Sequence, residues 1–189
     1  MVQNNNRSRI DKNFLSEIRK INNQDIQQFT INTLLRAPEY FWNIASSSSG
    51  KYHPADENCA GGLVIHIKKA FKVGEDLCRE FNISGDDRDC ILSALLLHDI
   101  THHGYPNDLG YCIHGHGCAF YTMFSGKEEF EYISNNKNFK KIAKLIVTHM
   151  SHWDFPFENG VETGDILQII VQSSDYIASR SYININIKE

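Results

Sequence analysis

The stretch LLLHDITHHG, residues 95–104, carries an apolar run straight into His98 and Asp99 and then into two more histidines. Any fold has to resolve that junction. A buried carboxylate costs several kcal/mol unless something pairs with it, and the nearest cations in sequence, Arg88 and Lys127, do not share its turn. Two resolutions exist. A helix C-terminus tolerates His, and hydrogen bonds can satisfy a buried pair. Alternatively, a positive ion sits between the two side chains.

With 189 residues the chain can fill one core, and it is too short to assume two. The net charge of −4 excludes a broad basic face, so an extended nucleic acid is disfavoured as a partner, while a local cluster gripping one phosphate is not. The opening residues MVQNNNRSRIDKNF lack an apolar h-region. No run approaches the roughly 18 apolar residues of a membrane span. Cys59, Cys78, Cys90, Cys112 and Cys118 are odd in number and never spaced CxxC, which predicts reduced thiols in a cytoplasm and argues against a cysteine-based zinc knuckle. Histidine is the compositional outlier: eight of the nine fall between His53 and His149.

The periodicity predicts helices nearly throughout and a single-domain, all-α bundle. Residues 1–24 read as a polar, partly flexible segment, 25–182 as the helical domain and 183–189 as a tail. Helices are expected over 25–36, over 38–46 opened by Pro38, over 62–81 and over 86–99. Ser84 and Asp87 suggest a capping box for the last of these, with Ile91, Ala94, Leu95 and His98 on one face. After a loop over 101–113, a helix restarts near His116, and two more cover 138–152 and 164–180. The Ser-, Pro- and Gly-containing stretch 46–62 reads as a long loop, of a length often tied to function.

A histidine alone on an apolar stripe is usually a satisfied core residue. Here four predicted helices each place His or Asp near the core-facing stripe: His66, then His98 with Asp99, then His149, then Asp175. Bundles build metal centres from inward side chains on facing helices, and imidazole with carboxylate suits a divalent transition metal.

The segments GGLVIHIKKAF, ALLLHDI, THMSHWD and SSDYIASR, in that order, resemble the HD-domain superfamily of metal-dependent phosphohydrolases over roughly residues 50–180. Together with KYHP at 51–54 they are similar to a bacterial and phage subgroup of it. The resemblance implies His66, His98, Asp99 and Asp175 as ligands of a principal metal. It implies a second metal on His116 and His149, with His114 competing for the first of these two places. The ion would be Mn, Fe, Co, Ni or Zn, one or two in number, with Mg also admissible. The chain departs from the family in three places: His102 stands where a Lys commonly follows the doublet, and Ile65 and Ile67 flank His66 where the subgroup has Arg and Thr.

The resemblance implies a phosphohydrolase acting on a small phosphorylated compound, a nucleotide foremost, through metal-activated water. Asp99 would bridge metals or orient the water, and His116 and His149 would complete the second metal or donate to phosphate. Lys51, His53, His102 and Arg180 are the candidate substrate-binding residues. The Ser46–His53 loop reads either as a phosphate cradle or as a Ser/Gly linker, and Trp153 and Tyr176 either as base-stacking or as core residues. A di-iron oxygenase and a non-catalytic nucleotide-binding module are the alternatives. A homo-oligomer is compatible with the sequence.

Overall fold

The computed structural model describes residues 2–150 and 165–187. Among these the chain is all-α, with no strand: α1 (Val2–Asn13), α2 (Leu15–Ile18), α3 (Gln24–Leu34), α4 (Gly62–Glu80), α5 (Gly85–Leu97), α6 (His116–Phe124), α7 (Glu131–Ser134), α8 (Phe139–Val147) and α9 (Ile166–Ala178). Single 3-10 turns stand at Glu39–Trp42, Ala55–Glu57 and Glu128–Phe130. Trp153, the last two residues of the helix expected over 138–152 and the first of that expected over 164–180 lie outside the described residues. No helix among the described residues is long and apolar enough to cross a membrane.

The bundle is organised around α5, which packs against α3, α4, α8 and α9. Its sequence CILSALLL has no polar face, and every residue from Asp89 to Leu97 is buried. A helix apolar all round belongs at the centre of its neighbours, so the single-face stripe expected for Ile91, Ala94 and Leu95 is corrected here. The one hydroxyl in this run, that of Ser93, is satisfied 2.7 Å from the Thr30 hydroxyl. Because α5 is enclosed on all sides, whatever follows Leu97 emerges inside the bundle.

Three other expectations change. Residues 1–24 are mostly polar on average, yet Ile10, Phe14, Ile18 and Ile21 recur at helical intervals and are all buried in the core. The Asn6 side chain ties α1 to the end of α3 through the carbonyls of Leu35 and Ala37. The segment after Pro38 makes only the 3-10 turn, which buries Tyr40, Phe41 and Trp42 together. Ser84 precedes α5 without a side-chain capping bond. The nearby carboxylates are engaged elsewhere: Asp86 and Asp89 accept from Asn23, and Asp87 from Lys141.

Candidate metal centre

The site is assembled largely at helix ends. The last carbonyls of an α-helix have no intrahelical partner. His98, directly after α5, donates from Nδ1 to the Leu95 carbonyl at 2.8 Å, and His149, two residues past α8, donates to Ile146 at 2.6 Å. His116, at the start of α6, donates from Nδ1 to the Ile113 carbonyl at 2.9 Å. A carbonyl can only accept, so each bond fixes the proton on Nδ1 and turns the Nε2 lone pair away from the backbone.

Those Nε2 atoms converge on two carboxylates. His66, inside α4, places Nε2 3.0 Å from Asp175 Oδ1 on α9 and 3.4 Å from His98 Nε2. Asp99 Oδ2 lies 3.4 Å from His98 Nε2 and 3.9 Å from His66 Nε2. The other oxygen, Oδ1, lies 3.0 Å from His116 Nε2 and 3.6 Å from His149 Nε2. Asp99 thus stands between two histidine pairs, one oxygen to each. The close approach of α6 to α8 depends on Gly117, where a Cβ would meet the Ile146 carbonyl oxygen at 2.6 Å.

These groups fit a cation. Ligands held at about 2.0–2.2 Å from one ion stand about 3.0–3.6 Å from each other, close to the spacings observed. His116 Nε2 and His149 Nε2 face one another at 2.9 Å, although both Nδ1 atoms already donate to carbonyls. Two lone pairs repel at that distance unless a positive charge separates them. His102, 5% exposed, has both ring nitrogens buried without a hydrogen-bond partner, with Nδ1 3.5 Å from Asp99 Oδ1. His66, His98 and Asp99; His98, His149 and Asp175; and Asp99, His102 and His116 are each groups that could hold a metal ion.

The electrostatics show the same need for positive charge. Burial pushes the His66 imidazole down, but Asp175 and Glu57 hold it up at about 10. Burial likewise opposes a charged His116, and Asp99 and Cys112 outweigh it. Burial raises the Asp99 carboxyl, and the charges of His98 and His102 with the hydrogen bond of His116 bring it well below the ordinary range. His149 goes the other way: burial and the neighbouring His116 and His98 keep it neutral more readily than a free imidazole.

An HD domain family model matches residues 63–180, a span holding His66, His98, Asp99, His116, His149 and Asp175. The chain belongs to the HD domain family. Among curated proteins and solved structures, nothing matches the chain. The HD domain marks the superfamily of metal-dependent phosphohydrolases, whose members bind divalent metals, and the histidine and aspartate groups described above are where this HD domain could hold one.

Two adjoining cavities, of about 300 and 900 Å³, open onto these residues and share His53, Cys112, His116 and Asp175 in their walls. The larger is of the size that encloses a small ligand. Arg180 lines it, its guanidinium 4.4 Å from the Tyr176 ring centroid and 5.3 Å from that of Tyr52. Tyr176 is half exposed on that wall rather than in the core. Lys51 is exposed and stands over the Tyr52 ring, and neither cavity counts it in its lining. His114 is exposed at the larger cavity, whereas His116 is buried with its Nε2 among the ligand atoms. Within the Ser46–His53 loop, Ser46 is buried and bonded to His53 and Glu57, while Ser47, Ser48 and Ser49 face the smaller cavity. Ile67 belongs to the core, so its place beside His66 supplies packing and no polar contact.

Sequence reasoning passed over two residues of this site. Cys112 Sγ lies 3.8 Å from His116 Nδ1; burial raises the thiol, and His102 and His116 bring it down to about 6. Glu57 lies behind His66. Nothing in the loop ADENCAGG separates Glu57 from its exposed neighbour Asp56, and the only signal was the glycine pair that follows.

Proposed function

We propose that this HD domain hydrolyses a phosphate ester or anhydride of a small phosphorylated compound, a nucleotide foremost. His66, His98, Asp99 and Asp175 would hold one divalent ion, and His116 and His149, sharing Asp99, a second. The observation that carries this reading is the division of Asp99, with one oxygen facing each histidine pair at the wall of the smaller cavity, next to the larger one that presents Arg180. A divalent ion there would supply acidified water and polarise a phosphoryl oxygen.

The chain's own residues do the rest. Asp99 fixes the two halves of the centre relative to each other. Arg180, its guanidinium flanked by two tyrosine rings and its Nε and Nη2 donating to the Ser179 hydroxyl, would offer its remaining N–H groups to a phosphate oxygen. The half-exposed Tyr176 offers a face on which a base can stack. His102, with its unpartnered ring nitrogens beside the smaller cavity, donates to the phosphoryl group in the place where the family commonly has Lys. His53, which lines both cavities, completes the substrate side from the loop before α4. The five free thiols fit a reducing cytoplasm, where we place the reaction.

The test is elemental analysis of the purified protein, followed by phosphate release from nucleoside mono-, di- and triphosphates and from non-nucleotide phosphates with Mn²⁺, Co²⁺, Ni²⁺ or Mg²⁺. Metal-dependent release that His98→Ala abolishes is the expected result. Tight nucleotide binding without turnover under every ion would replace the hydrolase with a binding module, and a mixed-valent di-iron EPR signal would replace it with an oxygenase.

A further inference from the structure

We propose that Glu57 is the positioning residue of the metal centre: its buried carboxylate, laid under α4 by a glycine that permits no side chain, orients His66 and strengthens its hold on the cation. The proposal rests on the reading of His66 as a ligand.

The other ligating histidines take their orientation from backbone carbonyls near helix ends. His66 cannot, because it lies within α4, where the carbonyls of the preceding turn are committed to the helix. A side chain has to do that work. Glu57 Oε2 lies 3.3 Å from His66 Nδ1, a buried nitrogen without an aligned hydrogen bond, on the side of the ring opposite the Nε2 that meets Asp175, and 2.7 Å from His53 Nδ1. Its other oxygen lies 2.9 Å from Lys69 Nζ. The carboxylate is fully buried, and Lys69 is 4% exposed. The ammonium of Lys69, shared with Asp56 at 2.8 Å, stands beside this carboxylate, which favours the His53–Glu57–His66 group, itself able to hold a metal ion, as a support for the centre.

The backbone explains how Glu57 gets there. The 3-10 turn Ala55–Glu57 rests on the first residue of α4 so closely that a Cβ on Gly62 would come within 1.9 Å of the Glu57 carbonyl oxygen. Ser46 clamps the same turn, its N–H and hydroxyl both donating to that oxygen. A carboxylate behind a ligating imidazole fixes the ring and makes it a better donor than a carbonyl does; losing such a partner typically costs about 10–100-fold in metal affinity.

Co²⁺ binding, measured by competition with a chelating dye and by the visible absorption of the bound ion, tests the proposal. Glu57→Gln keeps the shape and removes the charge, and Gly62→Ala keeps the carboxylate and displaces it. Both should bind Co²⁺ about 10–100-fold more weakly, with a shifted visible spectrum and the wild-type helical signal. Where Glu57→Gln alone leaves Lys69 too poorly paired to fold, Glu57→Gln with Lys69→Met removes both charges together. Folded variants with wild-type affinity and spectrum would overturn the proposal, since a merely structural Glu57 would change the melting temperature and leave the bound ion untouched. His66→Ala separates the two claims: wild-type Co²⁺ affinity in that variant would overturn the reading of the centre itself.

Discussion

Asp99→Asn is the substitution on which the two-sided centre depends most. It preserves the shape of the side chain and replaces two equivalent acceptors with one neutral oxygen and one N–H donor. Because Oδ2 faces His98 and His66 while Oδ1 faces His116 and His149, one change strikes both halves. A ligand that binds only the folded state at 100 times its dissociation constant stabilises by about 2.7 kcal/mol. For a chain of this size one kcal/mol moves the melting temperature by about 2–4 °C, so saturating Mn²⁺ should raise that of the wild type by roughly 5–10 °C. Asp99→Asn should lose that rise while keeping its far-UV helical signal. His149→Gln, which touches one half, should keep part of it. Melts with and without Mn²⁺ make each variant its own control, so an altered baseline cannot imitate the result. If Asp99→Asn retained the full wild-type rise, Asp99 would not be a shared ligand, and the division of the centre into two halves would fall.

Three further outcomes follow from particular contacts. Gly117→Ala should destabilise by about 1–3 kcal/mol in a denaturant titration, because its methyl meets the Ile146 carbonyl oxygen at 2.6 Å, and it should weaken the His116–His149 half selectively in a metal titration. Leu95→Ala, at the fully buried centre of α5, should cost about 2–5 kcal/mol by the same titration. Arg180→Gln should raise KM for a phosphorylated substrate several-fold and leave Mn²⁺ affinity unchanged, as expected for a residue on the cavity wall outside the ligand set; a loss of metal binding would contradict that placement.

The helices were legible because their apolar residues keep a helical period, and the fold brings His66, His98, Asp99, His149 and Asp175 together, although His98, Asp99 and His149 stand just past the ends of α5 and α8 and not on the helical stripes expected for them. Residues 1–24 were misleading for a physical reason: four core residues were diluted among polar ones, and composition conceals what the spacing of Ile10, Phe14, Ile18 and Ile21 would have shown. The one-sided reading of α5 failed because periodicity loses its contrast in a helix with neighbours on every face. Glu57 was invisible because its burial is a tertiary fact. An acidic residue in a Ser-, Pro- and Gly-containing loop looks like solvent-facing chain until the turn is seen resting on Gly62.

The opening question about His98 and Asp99 had two answers, and the structure lets them work together. The helix-end answer is correct for the imidazole's outer edge: Nδ1 of His98 does satisfy a carbonyl in the last turn of α5, as Nδ1 of His149 does at the end of α8. Yet each such bond uses up the proton and leaves a lone pair facing inward, so every helix end satisfied on its outer side adds an acceptor to the interior. The bundle centre therefore collects imidazole acceptors and the two carboxylates of Asp99 and Asp175. His116 Nε2 at 2.9 Å from His149 Nε2 is where this accumulation becomes untenable without positive charge. Hydrogen bonding at the backbone thus creates a requirement for positive charge at the centre, which a proton or a metal ion can meet, instead of removing it.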